Sequence, residues 1–227
     1  MTIADSTTPS APASVRRAGT DDRSQVVRVL TAAFGDDPVF AWIVPDPDER
    51  AALLPGVFDA FAEAYAHHDE THVLLSEDTP GAVISGVALW APPGVEPIHP
   101  DVEDRFFARM AEVAGAHLER FGTVGEIFGA AHPTEPCWFL SLLGVDAGQQ
   151  GRGFGSAVLG EVLVAADRAG EPAYLEATNQ RNRALYERHG FRHVGDLTLP
   201  AGPTAYAMWR DPAPSSDGRP SRTTSLR

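Results

Sequence analysis

Gly151, Gly153 and Gly155 stand at alternate positions, directly after an apolar run and at the head of an amphipathic one. The segment reads Trp138-Phe-Leu-Ser-Leu-Leu-Gly-Val145, then Asp-Ala-Gly-Gln, then Gln150-Gly-Arg-Gly-Phe-Gly155-Ser. Residues without a Cβ let an anion approach the main chain closely. Val158, Leu159, Val162, Leu163 and Ala166 recur at helical spacing, which puts the glycine turn at a helix start. There the first N–H groups have no internal acceptor, and the helix dipole adds about half a positive charge. Together they make a pyrophosphate site, to which Arg152 can add a side-chain charge.

Three ligand readings can be weighed against a plain strand-to-helix turn that binds nothing. A kinase or ATPase loop needs Gly-Lys-Ser/Thr, and that tripeptide does not occur in the chain. A dinucleotide fingerprint counted from Gly151 ends on Ser156 instead of glycine, and its strand is expected near the start of the chain. The third reading takes in a second segment. Gln150-Gly-Arg-Gly-Phe-Gly155 matches the Gln/Arg-x-x-Gly-x-Gly/Ala signature of the GNAT acetyltransferase superfamily. Asn179-Gln-Arg-Asn-Arg-Ala-Leu-Tyr186-Glu-Arg-His-Gly190-Phe191 resembles that superfamily's second signature, in the expected order and spacing. Within it, Glu135-Pro-Cys-Trp-Phe-Leu140, Gly144-Val145, the run from Gln150 to Val158, Glu176, Phe191 and Pro200-Ala-Gly-Pro203 look most like the puromycin N-acetyltransferases. That narrower likeness starts near His132, whereas the general one covers roughly residues 14–211.

The resemblance implies a GNAT fold in the α/β (α+β) class, with a mixed central sheet whose two neighbouring parallel strands splay apart. It implies acetyl-CoA as co-substrate and no metal. The pantetheine arm would lie along Leu143, Gly144 and Val145, and the pyrophosphate on Gln150, Gly151, Arg152, Gly153, Phe154, Gly155 and Ser156. Asn179 and Tyr186 would approach the thioester. Acyl transfer to an amine needs a neutral amine, a stabilised carbonyl oxygen and a protonated leaving thiolate. Tyr186 is the candidate acid, since a hydroxyl of pKa near 10 suits a departing thiolate. Glu176 is the candidate base, directly or through water, with His132 and Glu135 as further candidates. Cys137 is expected to pack in its strand. The acceptor is expected to be a small primary amine, with an amino-nucleoside as the narrower candidate. A protein or peptide acetyltransferase and a non-catalytic acyl-CoA-binding module are the alternatives.

These groups need elements to hold them. Strands are expected at 14–18, 72–76, 82–91, 137–145, 173–177, 191–197 and 204–210. Helices are expected from Thr20 as cap to Phe34, over 48–67 with a start or kink at Pro55, and over 101–129 with a break near Gly122. Two more are expected at 153–169 and 182–189. Residues 1–13 and 212–227 read as tails too poor in apolar surface to order themselves.

The 227 residues carry 18 Lys and Arg against 31 Asp and Glu, a formal charge of -13. That balance argues against a nucleic-acid partner and against a polybasic membrane surface. No apolar run reaches the 18 or so residues that span a bilayer. The single cysteine allows no internal disulfide, and the start of the chain has no apolar leader pattern, so a cytoplasmic monomer or homodimer is expected. Residues 36–70 hold nine acidic side chains and one basic. They read either as a solvated face or as a lip attracting a cationic amine. Phe40, Trp42, Trp90 and Phe107 could line an aromatic acceptor pocket or simply pack. His68 and His72, four apart, are weak candidates for a metal pair.

Overall fold

In a computed structural model of the chain, residues 14–76 and 83–214 are described. Seven strands form one sheet: β1 (Ser14–Arg17), β2 (Thr71–Ser76), β3 (Val83–Ala91), β4 (Trp138–Val145), β5 (Ala173–Ala177), β6 (Arg192–Thr198) and β7 (Thr204–Arg210). Their order is β1-β2-β3-β4-β5-β7-β6. β4 and β5 run parallel, and the other neighbours are antiparallel. The helices are α1 (Arg23–Phe34), α2 (Pro38–Ile43), α3 (Pro47–Tyr65), α4 (Pro100–Ala114), α5 (Leu118–Ala131), α6 (Phe154–Ala169) and α7 (Gln180–Arg188).

Alternation along the strands divides the core between two faces. On one face α1 and α3 bury Leu30, Phe34 and Phe58 against Val87, Leu89 and Leu142. Further along that face α5 lays Ile127, Phe128 and Ala131 over Tyr174, Ala205 and Trp209. On the opposite face α6 buries Val158, Leu159 and Val162 against Leu74, Trp90, Leu140 and Leu175. Each such side chain contributes about 1.5–3 kcal/mol when fully buried. β5 therefore turns Ala173, Leu175 and Ala177 toward α6, and Tyr174 and Glu176 toward α5.

Three helices start on a capping side chain followed by proline: Asp37-Pro38, Asp46-Pro47 and His99-Pro100. The cap accepts an otherwise unpaired first-turn N–H, and proline has none to satisfy. This local chemistry creates α2, a helix missing from the sequence expectations, which end the first helix at Phe34 and begin the next at 48. Thr20 is not the cap expected of it. Thr20–Asp22 form a 3-10 turn in which Asp22 accepts from Gly19 N at 2.7 Å and is gripped by Arg16. Pro55 lies inside α3 without ending it. Its ring is exposed, so the carbonyl it leaves unpaired can meet water. The break expected near Gly122 falls at Gly115, whose φ of +50 suits glycine, and α5 runs through Gly122. The expected tail at 1–13 and most of that at 212–227 lie outside the described residues. Ala213 is not loose: its N–H donates to Asp167 at 2.7 Å.

Candidate functional site

β4 and β5 pair only from Trp138 to Leu140 against Ala173 to Leu175. Beyond Leu140 β4 continues to Val145 without β5 beside it, so the sheet opens into a wedge. A register shift against β3 inserts Ser141 as an extra residue at that point. Trp138 N–H donates toward the β5 side, to Pro172 O just before that strand at 2.9 Å, whereas Asp146 N–H donates to the other side, to Ser85 O on β3 at 2.9 Å. In a regular strand two residues an even number apart would point the same way. The bulge at Ser141 reverses the alternation. The main-chain groups of Leu143 and Val145 consequently face the wedge, and Gly144 between them faces β3. Gly144 is also where α1 comes closest: a Cβ there would lie 3.0 Å from Ala33 Cβ and 3.1 Å from Leu30 Cδ2.

The glycine turn closes the wide end of the wedge. Gly151 and Gly153 have φ of +80 and +84, and a Cβ on either would meet no atom within 4 Å. Gly153 caps α6, so the first-turn amides at Phe154, Gly155 and Ser156 point along the helix axis toward this open space. The arrangement fits a diphosphate, which needs that space and those donors. Phe154 is buried, with Arg152 over its ring at 4.9 Å. Arg152 also donates to Gln149, and Gln150 reaches Val145 O at 3.5 Å. A Cβ on Gly155 would lie 3.4 Å from Leu185 Cδ2, so this glycine sits where α6 meets α7.

Two clusters of titratable groups flank the wedge on opposite faces. On the α3 and α5 side lies Glu176, whose carboxyl is pushed up to about 8 by burial, with a Tyr174 hydrogen bond pulling it back. The Tyr174 hydroxyl is pushed up by burial and by the Glu176 charge. Its ring stacks on Phe139 at 6.1 Å and meets the His132 edge at 5.4 Å. Tyr65, fully buried, hydrogen-bonds Ser141 at the bulge. Cys137 is pushed up to about 11 by burial and by Glu135 and Glu176, so it stays a thiol. Burial pushes His132 down, and Glu135 is exposed.

On the α6 side Tyr186 is buried, and desolvation together with Asp37 pushes its hydroxyl pKa up. Asn179 caps α7, accepting from Asn182 N at 2.9 Å, and thereby sets the turn that carries Tyr186. Asp37 is a site residue that the sequence motifs do not mark. It is buried, caps α2, and accepts hydrogen bonds from Thr178 and Asn179 at the end of β5. Its only sequence signal is the Asp-Pro pair, which also reads as a helix end.

Other expected groups do not meet at the wedge. Four of the nine acidic side chains in the run 36–70 are paired by arginines from outside it. Arg23 binds Asp59 and Glu63, Arg105 binds Glu63, and Arg17 binds Asp69 and Glu70. Trp90 is fully buried on the α6 face, and Phe107 is 57% exposed, so neither lines an acceptor pocket. His68 bonds Pro97 O and His72 bonds Glu70. His67, His99 and Asp101 do bring ligand atoms within 4.8 Å of one another, but His99 Nδ1 already caps α4.

Known proteins share both the fold and these segments. The sequence model of the Acetyltransferase (GNAT) family matches residues 36–191. A solved Corynebacterium glutamicum structure, described as histone acetyltransferase HPA2 and related acetyltransferase, is 30% identical with a TM-score of 0.69, covering 90% of this chain and 98% of that one. A Drosophila melanogaster polyamine N-acetyltransferase shares the fold at 16% identity and a TM-score of 0.56, over 88% and 100% of the two chains. An uncharacterized N-acetyltransferase of Schizosaccharomyces pombe is 25% identical over 81% of this chain and 76% of its own length. A mycothiol acetyltransferase of Acidothermus cellulolyticus is 29% identical over 87% of this chain, which spans 60% of that relative. The chain belongs to the GNAT acetyltransferase family of acetyl-CoA-dependent N-acetyltransferases, and its mixed seven-stranded α/β sheet is the GNAT fold. Among the described residues no helix is long and apolar enough to cross a membrane.

Proposed function

We propose that the protein moves an acetyl group from acetyl-CoA to a primary amine of a small molecule, by direct transfer. One observation carries the reading: Glu176 and Tyr186 lie on opposite faces of a wedge whose edge offers the Leu143 and Val145 amides. When bound, acetyl-CoA supplies an acetyl group already activated as a thioester. Its diphosphate would rest on the amides from Gln150 to Ser156, and its pantetheine arm would pair with Leu143 and Val145.

The chain's residues then divide the work. A lysine-like amine of pKa about 10.4 is only about one part in 10³ neutral at pH 7, and an α-amino group of pKa about 7.7–8.0 is some 10–20% neutral. Glu176, poised near 8, accepts the surplus proton directly or through water. An amide of Leu143 or Val145 donates to the carbonyl oxygen as it gains charge. Tyr186 keeps its proton at neutral pH, because burial and Asp37 oppose its ionisation, and gives it to the departing sulfur. Asn179 positions Tyr186 by capping α7. Cys137, held as a thiol, takes no covalent part.

The polyamine acetyltransferase among the structural neighbours supports an amine acceptor. A puromycin-like amino-nucleoside is the narrower form of this proposal. The name of the Corynebacterium neighbour favours a second acceptor, a lysine on a polypeptide. Thiol release from acetyl-CoA tests the reading against a panel of polyamines, arylalkylamines, puromycin and lysine peptides. Turnover with a small amine supports it. Tight acetyl-CoA binding without turnover of any amine overturns it in favour of a binding module.

A further inference from the structure

Trp42 joins three segments that meet over the Glu176 face of the wedge. Its Nε1–H donates to Pro200 O in the β6–β7 turn at 3.1 Å. The ring lies so close to that turn that a Cβ on Gly202 would stand 2.5 Å from its Cδ1 and 2.6 Å from its Nε1. From α5, Arg120 lies over the ring at 5.2 Å and donates to the Trp42 carbonyl. The turn is drawn across the sheet by Leu199, which is buried in the α1 and α3 core although it belongs to the far hairpin.

At its other end α2 is tied to β5. Asp37, which caps it, accepts from Thr178, just past the last residue of that strand. α2 has six residues, so at about 1.5 Å per residue it reaches some 9 Å. That is enough to bridge from the end of β5 toward the hairpin. Phe40, inside it, packs edge-on against Phe121 of α5 at 6.3 Å. The acceptor side is thus roofed by α2, α5 and the β6–β7 turn, with one side chain fastening all three. A lysine on a polypeptide needs an open groove for the chain on either side of it. A small amine does not.

We propose that Trp42 is the specificity-determining latch of the acceptor site: by fastening the β6–β7 turn to α2 and α5 it admits small primary amines and shuts out polypeptides. The proposal rests on the acetyl-transfer reading above. Two variants open the latch by independent routes. Trp42→Ala removes the ring, and Gly202→Ala drives a methyl group into it. In each, kcat/KM for a lysine-containing hexapeptide, divided by that for phenethylamine, should rise at least tenfold, with the Kd for acetyl-CoA within twofold of wild type. A ratio unchanged in both variants overturns the latch, and so does a wild-type enzyme that acetylates the peptide as fast as the amine. Hydrogen exchange separates this from failure of the functional reading. Leu199 N–H donates to Pro203 O and Gly202 N–H to Leu199 O, each at 3.0 Å. Both amides should exchange at least tenfold faster in Trp42→Ala, whatever the activity. If the wild type acetylates no amine, the functional reading falls, and unchanged exchange at these amides would overturn the latch as well.

Discussion

Asp37 and Thr178, 141 residues apart in the chain, share a hydrogen bond that ties the turn between α1 and α2 to the end of β5. The same carboxylate accepts from Val39 N at 2.9 Å and Phe40 N at 3.4 Å. It is buried, and desolvation raises its pKa while these donors and Asn179 pull it down. Asp37→Ala should cost about 1–2 kcal/mol through the lost cap. It should also lower kcat, because Thr178 and Asn179 lose their partner beside Tyr186. Asp37→Asn keeps an acceptor and should lose less of both. Urea unfolding and steady-state kinetics check the order Asp, Asn, Ala. Equal kcat in all three would show that the clasp serves stability alone.

Glu176 gives the activity a pH signature. Its carboxyl stands raised from 4.5 to about 8, so a base at this position is mostly protonated below pH 8. kcat/KM for an acceptor with a low amine pKa should rise with pH through a limb near 8. Glu176→Gln should lose that limb and at least about 10²-fold of the rate, the lower end of what general-base catalysis supplies. The stability effect has the opposite sense. Between pH 4.5 and 8 the folded chain holds a proton that the unfolded chain releases, so this group's contribution is full below 4.5 and lost as pH rises through 8. The melting temperature of Glu176→Gln should therefore gain on wild type between pH 5 and pH 9.

Tyr174 tunes the same limb. Its hydroxyl stabilises the charged form of Glu176 against burial. Tyr174→Phe keeps the stacking on Phe139 and removes that hydrogen bond together with the 3.4 Å bond its hydroxyl donates to Ala131 O, so the limb should move to higher pH. A limb that stays in place would leave Tyr174 as packing.

The parts of the site that repeat locally are legible in sequence. Alternate glycines before the apolar repeat of α6 mark the turn and its helix, and Asn179 before α7 marks the cap that sets Tyr186. Alternation in β5 puts Glu176 opposite Leu175. What depends on partners far along the chain is not legible. The bulge at Ser141 exists only in register with β3, and it alone turns Leu143 and Val145 into the wedge. Trp42 meets Pro200 across 158 residues. The pairing within the 36–70 run is hidden for the same reason, since the arginines that bind Asp59, Glu63, Asp69 and Glu70 come from β1, α1 and α4.

Gly153 and Tyr186 should fail in different measurements. At φ +84 any L side chain on residue 153 is strained by about 1–2 kcal/mol and projects into the space in front of the turn. Gly153→Val should weaken acetyl-CoA binding in a titration. Tyr186→Phe keeps the buried ring and should lower kcat with that affinity nearly intact. The reverse pattern would exchange the roles of turn and tyrosine.

Asp167, near the far end of α6 from the glycine turn, allows stability to be varied apart from binding. It meets the buried Arg210 through two bonds of 2.7 Å, and Arg210 also donates to His189 O at 2.9 Å. The Arg210 hydrogen bonds hold the Asp167 carboxyl below its ordinary value against partial burial. Asp167→Ala strands a buried guanidinium and should cost about 3–5 kcal/mol, with roughly 2–4 °C lost in melting temperature per kcal/mol. A double variant, Asp167→Ala with Arg210→Met, should recover much of that loss, because the penalty lies in the unpaired charge more than in the attraction given up. Because the Asp167 pKa is depressed, its contribution is present above about pH 3.8 and disappears as pH falls through the lowered value, so the difference between wild type and Asp167→Ala should shrink in strong acid. The Kd for acetyl-CoA should stay at the wild-type value in both variants; a matching loss of affinity would mean that the pair also fixes the orientation of α6, and with it the glycine turn at the other end of that helix.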